Sequence, residues 1–271
     1  MNYETLHGKD HVVHVQKVNE LKNQSLEHRE DSQKAIFSLI IPTRNEVENL
    51  APLYKRLTPI LTPNNCEVIF VDDSDDNTPN LLRQQRWSFP VSVMHRSIQE
   101  RKGGLSTAVL LGISHATGRF IGVMDADLQH PPELIPTLLS SAVNDKDIVI
   151  ASRFVNGGSI EGLSNPLRKL GSRGTNTLAH FLFPALKNVK DTMSGFFLFD
   201  RKLLDDGTQL NPEGFKILLE LLVKTNWVSL EEIPLQFQRR EYGESKFNMN
   251  ETLAIYMHML RLFREKKFRR T

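Results

Sequence analysis

The chain has 271 residues, enough for one large α/β domain with a sizeable core. Its 39% hydrophobic and 24% charged content is that of an ordinary globular protein, and a net charge of +2 is too small to mark a nucleic-acid binder. The one cysteine, Cys66, excludes an intramolecular disulfide, fits a reducing compartment and, sitting just before an apolar run, reads as a buried thiol.

Residues 1–34 are polar and carry four of the nine histidines. They lack the apolar core of a signal peptide and read as a polar N-terminal extension. His11 and His14, with Val12, Val15 and Val18, could share a weak helix, but no clustered Cys or Asp supports a metal site there. No run reaches the roughly 18–20 apolar residues of a membrane span, so any membrane role is expected to be peripheral or to belong to a longer chain.

The globular part is expected over 35–250. Ile36-Phe37-Ser38-Leu39-Ile40-Ile41 is an apolar run ended by Pro42, the pattern of a buried parallel strand. A loop over 43–46 and a helix over 48–61 follow. The next strand, 67–71, stops at Asp72-Asp73. Helix 78–86, strand 91–95, a glycine-containing loop and helix 105–116 come next. Strand 120–124 runs into Asp125-Ala126-Asp127, and helix 132–142 and strand 147–151 complete the alternation. Such alternation predicts an α/β fold, a mostly parallel sheet with helices on both faces. Residues 156–165, rich in Gly, Ser and Asn, read as a mobile loop. Helix 168–183, strand 194–199, helix 215–225, strand 227–237 and a last helix over 252–268 follow.

In an open parallel sheet, ligands bind beyond the carboxyl ends of the strands. Three expected strands end there in Pro42 to Glu46, in Asp72-Asp73 and in Asp125-Ala126-Asp127. Two carboxylates one residue apart, after an apolar strand, suit a hard cation such as Mg²⁺ or Mn²⁺ whose shell is completed by phosphate oxygens. Standing alone, such a triplet also reads as a capped turn.

The wider set of motifs is more specific. It comprises Ile41-Pro42-Thr43-Arg44-Asn45-Glu46, Val71-Asp72-Asp73-Ser74, Lys102-Gly103-Gly104-Leu105, Met124-Asp125-Ala126-Asp127-Leu128-Gln129-His130-Pro131-Pro132, Ala151-Ser152-Arg153-Phe154, Asp191-Thr192-Met193-Ser194-Gly195-Phe196-Phe197 and Arg240-Glu241-Tyr242-Gly243-Glu244-Ser245-Lys246. In this order the set resembles glycosyltransferase family 2, in its dolichol-phosphate mannosyltransferase and polyprenyl-phosphate branch. The resemblance implies a single GT-A (Rossmann-like) domain. It implies an inverting transfer of a sugar, mannose from GDP-mannose, onto a polyprenyl or dolichyl phosphate.

By the same resemblance, Pro42, Arg44, Glu46, Val71, Asp73, Lys102 and Ala126 line the nucleotide-sugar donor. Asp125, Asp127 and Gln129 surround the metal, and Arg240 and Lys246 close over the donor phosphates. Arg153, Arg168 and Ser172 hold the acceptor phosphate. A planar Arg fork suits a phosphate, and a diphosphate leaving group calls for metal and Lys/Arg nearby. Two positions depart from the family: Arg44 stands where an aromatic is usual, and Ser106 where a glycine is common.

A lipid phosphate is anionic near neutral pH and needs no strong base. A sugar-hydroxyl acceptor would need one, and Asp191 is the first candidate, although it also reads as a loop acid capping the Ser194 turn. UDP-glucose or another donor, and a non-catalytic nucleotide-sugar-binding subunit, are the competing readings; the second leaves the full set of Asp125, Asp127, Gln129, Arg240 and Lys246 without a purpose. No aromatic platform supports nucleic-acid binding.

The last helix, within 251–271, carries an apolar stripe of Leu253, Tyr256, Met257, Leu260 and Phe263, and six Lys/Arg against one Glu over 261–270. This predicts docking on the cytoplasmic face of a membrane, with packing on the α/β core as the competing reading.

Overall fold

The computed structural model describes residues 35–268 apart from 63–64, 164–165, 206, 212–216, 241 and 243–248. The expected N-terminal extension over 1–34 lies outside the described residues.

Among the described residues seven strands form one sheet: β1 (Phe37–Thr43), β2 (Cys66–Asp72), β3 (Val91–His95), β4 (Phe120–Val123), β5 (Ile148–Ser152), β6 (Phe197–Asp200) and β7 (Leu230–Pro234). Their spatial order is β3-β2-β1-β4-β6-β5-β7. The helices are α1 (Val47–Leu61), α2 (Thr78–Gln84), α3 (Gly104–His115), α4 (Ile135–Val143), α5 (Pro166–Leu182), α6 (Ile217–Lys224) and α7 (Met249–Phe268). Every residue of β1, β4, β5 and β6 is buried, whereas the edge strands β3 and β7 are half-exposed. Continuous apolar runs make the central strands because both faces of the sheet are covered.

Pairing is parallel except at β6, which runs antiparallel to both β4 and β5. The chain enters β6 from the edge at which β4 and β5 end, so β6 must descend while its neighbours rise. The expected 194–199 strand therefore starts later, at Phe197. Pro42, expected to end β1, lies inside it, paired with Val71.

Two apolar layers flank the sheet. On one face Leu53 and Leu57 of α1, Leu82 of α2 and Leu138 of α4 pack on Leu39, Val68 and Leu198. On the other, Val109 of α3, Ala179 of α5, Leu218 of α6 and Met259 of α7 pack on Ile40, Ile121 and Phe199.

Helix α7 meets α5 and α6 through Ile255, Met259 and Leu262, all buried, with His258 buried beside them. A polar node closes that seam: Lys224 Nζ lies 2.6 Å from Glu220 Oε1 and 3.2 Å from Glu265 Oε2. Burial pushes the Glu220 carboxyl up and holds the His258 imidazole down near pKa 4. Most of the stripe read from the sequence lies on the opposite face: Leu253, Met257, Leu260 and Phe263 are 61%, 60%, 46% and 40% exposed, and Tyr256 is half-buried. Met259→Ala is accordingly expected to cost about 2–5 kcal/mol in denaturant unfolding. Met257→Ala, two residues away, should stay within about 0.5 kcal/mol of the parent. Equal losses would show that the two faces are wrongly assigned.

Candidate active site

The carboxyl ends of β1, β2, β4, β5 and β7 open on one edge of the sheet, and the loop that enters β6 joins them there. At that edge the first two loops latch onto each other. Asn45, at φ 53°, donates its backbone N–H to Ser74 Oγ at 2.8 Å and accepts from the Asp75 N–H at 2.8 Å. The Glu46 N–H reaches Thr78 Oγ1 at 2.9 Å, and the Glu46 carboxylate accepts from Asn49 Nδ2 at 2.6 Å. Arg44 is exposed beside them, and Pro42 and Val71 are buried beneath.

The paired acids of β2 divide. Asp72 is wholly buried and structural, taking Thr43 Oγ1 at 2.7 Å, Ser74 Oγ at 2.6 Å and His95 Nδ1 at 2.6 Å. Asp73 receives a two-pronged contact from Arg96, Nε to Oδ1 at 2.7 Å and the terminal nitrogen to Oδ2 at 2.6 Å. Arg96 also donates to Thr107 Oγ1, Glu100 O and Gly104 O, fastening the loop that carries Lys102. Gly103 and Gly104, at φ 91° and 62°, take the left-handed turn that starts α3. Arg101 adds Asp75 and the Ser74 carbonyl at 2.5 and 2.8 Å. Sequence reasoning missed Arg96 and Arg101, since a lone Arg after a strand carries no signal of its own.

After β4 the chain turns sharply. Leu128 sits in the left-handed region at φ 62°, although it is neither Gly nor Asn. That turn lets Asp127 Oδ1 accept the Gln129 N–H at 3.1 Å. Ala126 and Leu128 point into the core, so Asp125 and Asp127 face the edge. The Asp125 carboxylate is the more open, 38% exposed against 8% for Asp127. His130, buried against the Phe196 and Phe237 rings, accepts the Asp125 N–H at Nδ1, 3.2 Å away. It is a third residue whose setting the sequence did not reveal.

Beyond β7, residues 235–240 lie against this turn. The Gln238 N–H donates to Gln129 O at 3.0 Å, and Gln129 Nε2 donates to Gln238 O at 3.0 Å. Arg240 then forms an ion pair with Asp127 Oδ2. Residues 156–163, part of the 156–165 stretch expected to be a mobile loop, are tied to the same segment: the Ser159 N–H bonds Leu235 O at 2.9 Å and the Gly162 N–H bonds Phe237 O at 3.0 Å. Backbone groups that would otherwise lack partners fix this stretch, whatever its polar composition.

Behind β5, Arg153 makes a two-pronged pair with Asp191, both contacts at 2.8 Å. Its guanidinium lies 5.5 Å from the Phe154 ring and 5.8 Å from the Phe237 ring. Burial would lower the Arg153 pKa, but the Asp191 carboxylate and then Asp125 hold it above its ordinary value. Asp191 is fully buried and also accepts the N–H groups of Arg153 and Met193. It is not placed as a base for an acceptor hydroxyl: both its oxygens are spent on orienting Arg153. Glu232 of β7 holds the same loop, accepting the Asp191 N–H at 2.9 Å and the Lys190 N–H at 2.7 Å. Asn176 of α5 bonds Lys190 O and Thr192. Ser172 lies one turn before Asn176, on the same face of α5. The side chain of Arg168 and the whole of Lys246 lie outside the described residues.

Among the described residues no three His, Cys, Asp or Glu side chains form a metal cluster. The Asp125 and Asp127 carboxylates, the first open and the second largely buried, fit a hard cation that draws its other ligands from phosphate and water. The arginine seated on Asp127 is a protein cation where such an ion would bind.

The sequence matches the family model for glycosyl transferase family 2 over residues 38–208. It is 41% identical over 228 residues to the dolichol-phosphate mannosyltransferase of Pyrococcus furiosus, covering 84% of this chain and 63% of that protein's length. It is 34% identical over 237 residues to the Saccharomyces cerevisiae dolichol-phosphate mannosyltransferase, covering 83% of this chain and 85% of the yeast protein. Its fold resembles that of glucosyl-3-phosphoglycerate synthase from Mycobacterium tuberculosis, solved with Mn²⁺, UDP-glucose and phosphoglyceric acid (TM-score 0.62, 16% identity, 92% of this chain and 83% of that one).

The contact of residues 156–163 with 235–238 can be tested by one methyl group. A Cβ on Gly162 would run into the carbonyl oxygens of Phe237 and Gln238. Gly162→Ala should lower the local opening free energy by about 1–3 kcal/mol, read as faster amide exchange at Gly162 and Gln238. Unchanged exchange at both amides would show that the segments are not held together.

Proposed function

The chain belongs to glycosyltransferase family 2, and from that premise we propose that it transfers mannose from GDP-mannose to a polyprenyl phosphate at a membrane surface, with inversion at the anomeric carbon. The observation that carries this reading is the meeting of two charge centres at one sheet edge. A turn carrying two carboxylates, Asp125 and Asp127, stands beside Arg153, a buried cation whose pKa is raised partly by Asp125. A donor diphosphate needs the first and an acceptor phosphate the second. The P. furiosus and yeast relatives, named as dolichol-phosphate mannosyltransferases, support the choice of sugar and lipid.

The donor base and ribose lie, in this reading, across the loops of Pro42, Arg44, Glu46, Val71, Asp73 and Lys102. Arg96 fixes Asp73 so that its carboxylate presents one geometry. Mg²⁺ or Mn²⁺ held by Asp125 and Asp127, with Gln129 bracing the turn and Ala126 packed beneath, would neutralise charge on the leaving diphosphate. Arg240 and Lys246 contribute positive charge from the C-terminal side. Arg153, Arg168 and Ser172 hold the acceptor phosphate.

An acceptor phosphate oxygen carries its own negative charge, so no side chain has to remove a proton for it to attack. What the protein supplies is alignment of that oxygen with the anomeric carbon, and neutralisation of the departing diphosphate. Asp191 serves this step through Arg153: its bidentate grip turns the guanidinium towards the carboxylate turn. Asp127→Ala should leave a folded protein whose kcat/KM for transfer from labelled GDP-mannose to polyprenyl phosphate falls roughly 10²–10³-fold. Near-normal transfer by that variant with EDTA present would overturn the metal assignment.

Among the described residues no helix is long and apolar enough to cross a membrane. The reading places α7 on the cytoplasmic face. Its exposed Leu253, Met257, Leu260 and Phe263 enter the interface, while Arg261 and Arg264 meet anionic headgroups. Because the opposite face of α7 is core, point variants test this better than truncation. Replacing Leu253, Met257 and Leu260 together by Ser should leave thermal unfolding nearly unchanged and abolish co-sedimentation with anionic vesicles. Parent and variant binding alike would sink the membrane assignment.

A further inference from the structure

We infer that Arg240 makes the metal site conditional on the donor: it occupies Asp127 until a diphosphate is present, so that the divalent cation and the nucleotide enter as a coupled pair. This rests on the proposed assignment of Asp125 and Asp127 as metal-holding carboxylates.

Three observations lead here. Asp127 has both oxygens engaged, Oδ1 by the Gln129 N–H and Oδ2 by the Arg240 guanidinium. Its side chain is only 8% exposed, so water does little to satisfy the carboxylate, and removing Arg240 would leave a nearly buried anion uncompensated. Finally, Arg240 is carried by a segment docked on the metal turn itself, through the Gln238 N–H to Gln129 O and Gln129 Nε2 to Gln238 O. That docking keeps the guanidinium concentrated at Asp127. Arg153, the other cation near Asp125, cannot replace it, because Asp191 holds it in two contacts.

A cation arriving alone must therefore displace a docked positive charge and gains only part of what an empty carboxylate would offer. A diphosphate changes the balance. It gives the guanidinium an alternative anion, frees Asp127 Oδ2, and brings oxygens that complete the metal shell. Metal and diphosphate each favour the same rearrangement, so each raises the other's affinity by the same factor. The structure thus assigns Arg240 a role beyond contacting phosphate: it keeps the site from filling with metal before the donor arrives.

The coupling can be read without turnover. Protein-bound Mn²⁺ is measured by equilibrium dialysis or electron paramagnetic resonance with no nucleotide, for the parent chain, Arg240→Gln, Arg240→Lys and Asp127→Asn. GDP binding is then measured by calorimetry at saturating Mn²⁺, and thermal unfolding checks each variant. Arg240→Gln should bind Mn²⁺ alone roughly tenfold more tightly than the parent, within the ~5–150-fold span of ordinary coupling, and should bind GDP more weakly. Arg240→Lys, which keeps the charge, should stay near the parent for Mn²⁺. Weaker Mn²⁺ binding by Asp127→Asn, with Arg240→Gln no tighter than the parent, would overturn the inference and leave the metal assignment standing. Parent-like Mn²⁺ binding by Asp127→Asn would instead remove the metal assignment and the inference with it. Equal tightening in Arg240→Lys and Arg240→Gln would also overturn it, since charge would then not be the cause.

Discussion

The sheet edge that carries the candidate site gathers several carboxylates, and the arrangement of its arginines answers the constraint that such charges must be paired in a folded chain. Asp73 faces Arg96, Asp75 faces Arg101, Asp127 faces Arg240 and Asp191 faces Arg153. Asp73, Asp75 and Asp127 follow strands and Asp191 lies on the loop that enters β6, and each arginine comes from a different loop than its acid. The pairs therefore hold the loops in place as well as neutralising charge. Without them the carboxylates after β2 and β4 and on the loop that enters β6 would stand at one sheet edge uncompensated.

The pairs are not equivalent, and burial sorts them. Arg96 and Arg153 are 4% and 10% exposed and each makes a two-pronged contact to one carboxylate. Breaking a buried pair on one side costs about 3–5 kcal/mol, because the remaining charge has no water to turn to. Those two pairs are fixtures, and they present Asp73 and the Arg153 guanidinium in one orientation each. The Arg101–Asp75 pair has a carboxylate that is 56% exposed and adds little to stability. Arg240 and Asp127 lie between these limits: buried enough for the contact to matter, open enough for a competing anion to reach the guanidinium.

How much of this was legible in the sequence follows the same division. Apolar runs before Pro42, Asp72 and Asp125 marked the central strands, because both faces of the sheet demand hydrophobic residues and the strand ends demand polar ones. The antiparallel direction of β6 was not legible: Phe197–Asp200 is as apolar as its parallel neighbours, and direction depends on where the preceding loop enters. The carboxylates were found through their motifs, but their partners were not, since Arg96 and Glu232 become informative only when the fold brings distant loops together. Composition read residues 156–165 as a mobile loop; what it could not show is that Gly162 sits against the carbonyl groups of 237 and 238. For Asp191 the sequence left two readings open, a base for a hydroxyl acceptor or a loop acid, and its two-pronged contact with Arg153 could not be read from either.

Helix α7 carries the same lesson into packing. A helix with one apolar face presents a simple choice between core and interface, and the stripe of Leu253, Met257, Leu260 and Phe263 could be assigned to either. The seam against α5 and α6 is filled instead by Ile255, Met259 and Leu262, with Phe263 reaching the Phe183 ring. Two apolar faces on one helix blur its sequence periodicity, which is why the inner face escaped notice. Four large apolar side chains left outside on a single helix call for a covering surface, since an isolated exposed Leu needs no explanation but a contiguous row does. Helix α5 adds Leu170 and Phe181, 69% and 80% exposed and eleven residues apart, so that they lie on one side of that helix. The helix that carries Ser172 and, through Asn176, steadies the Asp191 loop thus has an apolar side of its own. A surface that engaged both helices would therefore also bear, through Asn176, on the loop that holds Asp191 against Arg153.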